Sequence, residues 1–183
     1  DLLYLDASQN LYNNDFALTN SVFEGGYMAM NVKGHQAAAD ALQQNMLIEG
    51  NTFRDQGKQQ VYGDAVANLR IIGNTFRMNV TASNQYGIDW VLVGDTALIA
   101  GNDFLFTAPA TSAQASNPVY IRPNTYQDKE NAVICMVNNV INVQNPGTYA
   151  SYGINFNSNL PKLLLAYNTV VTNTEGTAAS PRS

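Results

Sequence analysis

One spaced frame of residues, returning about six times along the chain, limits what this sequence can fold into more than any other feature. It is clearest at Leu69-Arg70-Ile71-Ile72-Gly73-Asn74-Thr75-Phe76. Leu69 and Ile71 alternate with their neighbours, as in a strand with one buried face. Gly73 and Asn74 both tolerate left-handed dihedrals, so a sharp corner is expected there, after which Phe76 resumes the apolar register. The frame recurs as Met46-x-Ile48-x-x-Asn51-x-Phe53 and Ala97-x-Ile99-x-x-Asn102-x-Phe104. It returns as Val133-x-Cys135-x-x-Asn138-x-Val140 and Leu163-x-Leu165-x-x-Asn168-x-Val170, with a degenerate first copy at Ala17-x-x-Asn20-x-Val22. Successive asparagines stand 31, 23, 28, 36 and 30 residues apart. Repeats of that order mark a solenoid, in which each unit buries its apolar face only by stacking on its neighbours.

A second pattern keeps register with the first. Tyr86-Gly87-Ile88-Asp89-Trp90 and Tyr152-Gly153-Ile154-Asn155-Phe156 each place their glycine 15 residues ahead of a frame asparagine. Val119-Tyr120-Ile121 fills the same part less regularly, and residues 61–66 do so in shortened form. Each turn of the solenoid is therefore expected to hold three short strands. Residues 107–118 and 123–131, rich in Pro, Ser, Ala, Thr and Asn, read as surface loops that make the repeat length vary. Residues 35–42 allow one short helical turn. Residues 1–171 form the repeat domain, and residues 172–183, poor in apolar side chains, read as a tail or linker.

The frame must be told apart from a leucine-rich repeat, which requires a further leucine eight positions before the asparagine. Those positions hold Gln43, Val66, Gly94, Glu130 and Leu160, so the requirement is mostly unmet. The inward set mixes Ile, Phe, Val and Leu, the residue types that suit strands.

The frame motifs at Ile48 to Phe53 and Ile71 to Phe76, with the two Tyr-Gly-Ile strands, resemble the right-handed parallel β-helix repeat family of the pectate-lyase-like superfamily. The likeness is greatest to secreted β-helix proteins of Bacteroidota-type bacteria, and it spans nearly the whole chain. The resemblance implies an all-β, right-handed parallel β-helix of about six coils and a secreted or cell-surface location. It implies a structural ladder at the corners made by Asn20, Asn51, Asn74, Asn102, Asn138 and Asn168, each amide bonding its counterpart one coil away. It does not imply one activity, since this architecture carries lyases, hydrolases, epimerases and adhesins.

The chain has 24 asparagines against 23 charged residues, and a net charge of −5. Such a surface does not suit a nucleic-acid backbone, and no apolar run approaches the length of a membrane span. The start at Asp1 is that expected of a processed product or of a fragment of a longer protein. Cys135, the one cysteine, is read as a small buried hydrophobe at an inward position.

Uronate chemistry on such a scaffold needs an acid and a base on one outward face. The candidate ligand-contacting residues are Tyr86, Asp89, Tyr120, Arg122 and Asn155, with Asp89 the candidate catalytic carboxylate. Tyr86-Gly87-Ile88-Asp89 resembles the start of the mannuronan C5-epimerase motif, in which the Asp is followed by Pro and a proton-transferring His. Here Trp90 and Val91 stand in those places, and Trp90 shares the inward parity of Ile88. His35 is the only histidine, with no second ligand beyond Asp40 at metal-binding spacing. No metal or cofactor is called for. The expected function is a non-catalytic structural or glycan-contacting module, with polysaccharide as the partner. The alternatives are a uronate lyase or epimerase centred on Asp89, and a fibre subunit stacking end to end with another β-helix or with flanking domains.

Overall fold

The computed structural model describes residues 1–6, 14–34, 43–82, 85–108, 116–122, 133–144, 152–156 and 162–172. The expected helical turn at 35–42, His35, most of the two loops and nearly all of the tail lie outside these residues. The described residues form sixteen strands and no helix. In chain order they are β1 (Leu3–Asp6), β2 (Ala17–Thr19), β3 (Val22–Glu24), β4 (Met28–Lys33), β5 (Gln43–Glu49) and β6 (Thr52–Arg54). There follow β7 (Gln59–Ile72), β8 (Thr75–Met78), β9 (Gln85–Ala100), β10 (Asp103–Phe106) and β11 (Ser116–Arg122). The last five are β12 (Val133–Val137), β13 (Val140–Val143), β14 (Ile154–Phe156), β15 (Lys162–Ala166) and β16 (Thr169–Thr172).

These strands pair in parallel within a ten-stranded and a six-stranded sheet. The pairs fall into three columns. One runs β1-β4-β7-β9-β11-β14. A second runs β2-β5-β7-β9-β12-β15, using the later halves of β7 and β9. The third is β3-β6-β8-β10-β13-β16. Parallel neighbours cannot be joined by a tight hairpin, which is why partners lie a full repeat apart in the sequence.

The core is one continuous cluster that takes alternate residues from each column. Ile48, Ile71 and Ile99 are fully buried in one row, and Phe53, Phe76 and Phe104 in another. Phe23, Phe53, Phe76 and Phe104 stack ring on ring, with centroids 5.4, 5.1 and 4.5 Å apart, an aromatic arrangement that stabilises beyond its buried area.

The corners carry the asparagines. Asn51, Asn74, Asn102 and Asn139 each donate both a backbone N–H and a side-chain N–H to the Oδ1 of the next asparagine, the last acceptor being Asn168, at 2.8–3.0 Å. The second amide hydrogen goes to a carbonyl of the preceding repeat: Leu18, Ile48, Ile71, Ile99 and Met136 for the five in turn. Every buried amide group in the column is thereby used, as burial requires.

Two expected members are placed elsewhere. Asn138 and Asn20 stand one residue before the column, at φ 56° and 49°, where the other repeats hold Gly50, Gly73, Gly101 and Tyr167, also at positive φ. The ladder position of the first repeat is taken by Ser21, whose backbone N–H donates to Asn51 Oδ1 at 2.9 Å. Because Asn139 is the ladder residue, the fifth repeat is shifted by one from its expected frame. Ile134 and Met136 point inward and pair with Ala97 and Ile99. Cys135 is half-buried on the outer face, and Val140 is exposed while Ile141 is buried. The physical reason is the backbone: the corner needs a left-handed residue immediately before the ladder amide, which Asn138 supplies for Asn139, whereas a ladder amide at Asn138 would put β-branched Val137 in that conformation.

Candidate functional site

The outer face of the first column carries a row across six strands: Tyr4, Asn31, Tyr62, Asp89, Tyr120 and Asn155, each in register with the next. The inward partners on either side of this row are Val61, Ile88 and Val119, then Gly63, Trp90 and Ile121. Trp90 fixes the middle of it. Its indole is fully buried and lies over Gly63, where a Cβ would come 2.3 Å from the ring. Only glycine leaves room for that ring in the neighbouring strand. With Trp90 held inward as expected, Asp89 must face outward.

Asp89 nevertheless keeps only 2% of its surface in water. Arg122, one strand away, grips it with both ends of its guanidinium: Nε donates to Oδ1 and an Nη to Oδ2, each at 2.9 Å. From the strand on the other side Gln59 donates its Nε2 to Oδ2. Bidentate, charge-assisted pairing of this kind is among the stronger hydrogen-bond arrangements. Burial pushes the Asp89 carboxyl above its ordinary range, and the charge and hydrogen bonds of Arg122, the Gln59 bond and the charge of Lys58 take back part of that rise. For Arg122 burial acts to lower the guanidinium, and the Asp89 carboxylate more than offsets it.

Aromatic rings close over the pair. Tyr86 and Tyr120 stack with centroids 5.6 Å apart, and the Arg122 guanidinium carbon lies 5.3 Å from the Tyr120 ring centre. Burial, followed by nearby Asp64, raises the Tyr62 phenol; burial, followed by Asp89, raises that of Tyr86. Beyond Tyr120, Asn155 donates its amide to Asn117 Oδ1 at 3.0 Å.

The structure therefore brings Tyr86, Asp89, Tyr120 and Arg122 together, and sets Asn155 at the end of the row beside Asn117. Sequence reasoning missed Gln59, Tyr62 and Asn117. The 15-residue offset could not supply Tyr62: counted back from Asn74 it sets Val61 opposite Asp89, because the pairing of β7 with β9 shifts by one between Ala67 and Leu69. Chemically the cluster presents phenol and amide groups around a neutralised ion pair. A carboxylate already accepting three hydrogen bonds is a poor general base. Among the described residues no group of three or more His, Cys, Asp and Glu side chains could hold a metal ion.

No family model matches the chain, and neither a curated protein nor a solved structure matches it.

Proposed function

We propose that the chain is a stretch of right-handed parallel β-helix with three strands per coil, serving as a non-catalytic module that contacts glycans along its outer Tyr-Asn row. The three columns of parallel pairs and the asparagine corners support the architecture. A location outside the cell follows from the family resemblance. The observation that carries the function is the state of Asp89: the carboxylate at the centre of the row is held by Arg122 and Gln59. The flanking Tyr and Asn side chains offer hydrogen bonds to sugar hydroxyls without offering proton exchange at neutral pH.

Two measurements on the whole chain test this. Incubation with pectin, alginate and related uronates is expected to yield no unsaturated product by absorbance and no change of uronate ratio by NMR. Affinity electrophoresis through gels containing those polysaccharides is expected to show retardation that weakens in Tyr120→Ala. Turnover that disappears in Asp89→Asn would overturn the non-catalytic reading in favour of a lyase or epimerase. Unretarded migration in every gel would remove the glycan contact.

A further inference from the structure

The three columns do not treat their outer faces alike. The first presents the Tyr-Asn row, and the third presents Thr52, Arg54, Thr75, Arg77 and Asp103. The second is apolar on its outer face as well as its inner one. Leu47, Leu98 and Cys135 stand there in one row, with Arg70 between the two leucines. Two residues further along the same strands, Ile72, Ala100 and Val137 form a second row that begins at Glu49. The six apolar side chains of these rows are half-buried, and none of them belongs to the core. Their strands send Ile48, Ile71, Ile99 and Met136 inward instead, where all are fully buried. Each strand thus reads as a nearly unbroken apolar run, residues 133–137 most plainly. That is the pattern of a parallel sheet covered on both faces, and the core covers only one.

We infer that a second copy of the chain covers this outer face, giving a two-fold dimer packed sheet on sheet, its axis along the stack and midway between the two rows. The inference is independent of glycan contact, which engages the first column. Rotation about that axis sets each residue of the first row opposite the second-row residue of the same strand in the other copy. Leu98 then meets Ala100, and Cys135 meets Val137, so at each level a larger side chain faces a smaller one. Such rows interdigitate, and the partner strands run aligned and reversed, as in the common sandwich packing of two sheets.

Charge points to a second copy as the occupant. Glu49 and Arg70 are the charged members of the two rows; both are exposed, and neither makes an ion pair with a described residue. Within one copy they lie on adjoining strands but in different rows. The two-fold carries Glu49 of one copy into line with the row of Arg70 in the other, about 4.8 Å away along the stack. It does so twice, once in each direction, so two symmetry-related pairs form beside the apolar rows. A face holding one carboxylate and one guanidinium in this arrangement is complementary to itself, as an isologous contact demands. Because both copies use the same face, assembly stops at two.

Sedimentation velocity of the whole chain over rising concentration tests this, with two copies as the expected endpoint. Leu98→Lys, at the centre of the face, is expected to stay monomeric, with circular dichroism and the denaturation midpoint confirming that it folds. Glu49→Arg, exposed and so tolerated by the fold, should weaken dimerisation about fivefold. Adding Arg70→Glu in the same chain should restore it, because both pairs re-form with their signs exchanged. Cys135, the one cysteine of the chain, gives a reading of where the contact lies. Its alkylation by iodoacetamide should slow as the dimer fills, and should keep one rate at every concentration in Leu98→Lys. A chain that stays monomeric at its solubility limit overturns the inference. So does growth beyond two copies, or a dimer that Leu98→Lys and Glu49→Arg leave unchanged.

Discussion

Two buried polar groups in this molecule are satisfied in opposite ways. The corner asparagines, Asn51 to Asn168, solve one problem five times with one residue type, every amide reaching the same atoms in the adjoining repeat. The Asp89 cluster solves its problem once, with Arg122 from one strand, Gln59 from another and two tyrosines over the top. Repetition reports what the scaffold needs, because each repeat faces identical unpaired backbone groups. A singular arrangement reports something the scaffold does not need, since the equivalent positions on neighbouring strands are filled by Tyr62 and Tyr120 without loss of pairing. The outer face around Asp89 is on that ground the better place to look for function.

The largest effect should come from breaking the singular cluster. Arg122→Met leaves a buried carboxylate without its counter-charge. About 3 kcal/mol of stability should be lost at neutral pH, the low end for a broken buried pair, because Arg122 keeps 35% of its side chain in water. The loss should depend on pH in a set direction. The folded carboxyl already lies above its ordinary 3.8, and removing the groups that pull it down moves it higher. A carboxyl raised on folding contributes stability below 3.8 and gives it up as pH rises through the folded value. The deficit of the variant relative to wild type should thus be smallest near pH 3.8 and grow as pH rises. Urea midpoints at a series of pH values check this; a deficit constant in pH would show that Asp89 is not stranded.

Next in size is the ladder. Asn74→Ala removes the acceptor of two donors from Asn51 and the side-chain donor to Asn102 Oδ1 and to the Ile48 carbonyl, so a loss of roughly 1–3 kcal/mol is expected. The outer row of Asp15, Asn45 and Asn68 looks similar on paper but stands in water. Asn45→Gly, which keeps the positive φ of 60° while deleting the amide, should change stability by no more than about 0.5 kcal/mol. Matching denaturation midpoints for the two variants would refute the distinction between buried and exposed columns.

How far the sequence foretold this follows from the same contrast. The repeating part was legible: alternation, Gly-Asn corners and the 15-residue offset located most strands, Phe53, Phe76 and Phe104 of the phenylalanine stack, and four of the five ladder members, Asn51, Asn74, Asn102 and Asn168. What failed was register in two repeats: in the first, Leu18 and Phe23 and not Ala17 and Val22 face inward, and in the fifth two adjacent asparagines offered two frames and the apolar pattern Val133-Ile134-Cys135-Met136-Val137 could serve either face. The candidate site was legible only as a set of outward residues. Nothing in spacing announces that Arg122 folds back onto Asp89, because a long side chain reaches across strands by rotamer and not by sequence position. Gln59 was hidden for a related reason: it faces outward beside inward Gln60, which donates to the Phe53 and Arg77 carbonyls, so strict alternation does not hold there.

The smallest effect is the most discriminating, because it separates two neighbouring residues of the same type. Asn138 sits at φ 56° with an exposed side chain, in the place that glycine holds in three other repeats. Asn139 is buried, and its amide joins Asn102 to Asn168 and reaches the Ile99 carbonyl. Asn138→Gly relieves the left-handed conformation of its Cβ while adding freedom to the unfolded chain, two terms that nearly cancel. Its denaturation midpoint should shift by no more than the equivalent of about 0.5 kcal/mol. Asn139→Gly carries the same unfolded-state term but also strands both donors of Asn102 and takes a donor from Asn168 Oδ1 and the Ile99 carbonyl, and should lose roughly 1–3 kcal/mol more. If the frame began at Val133 and ran through Cys135, the order would invert, with Asn138→Gly the damaging change. A midpoint comparison of these two single substitutions therefore fixes the register of the whole fifth repeat, and with it which face Cys135 presents.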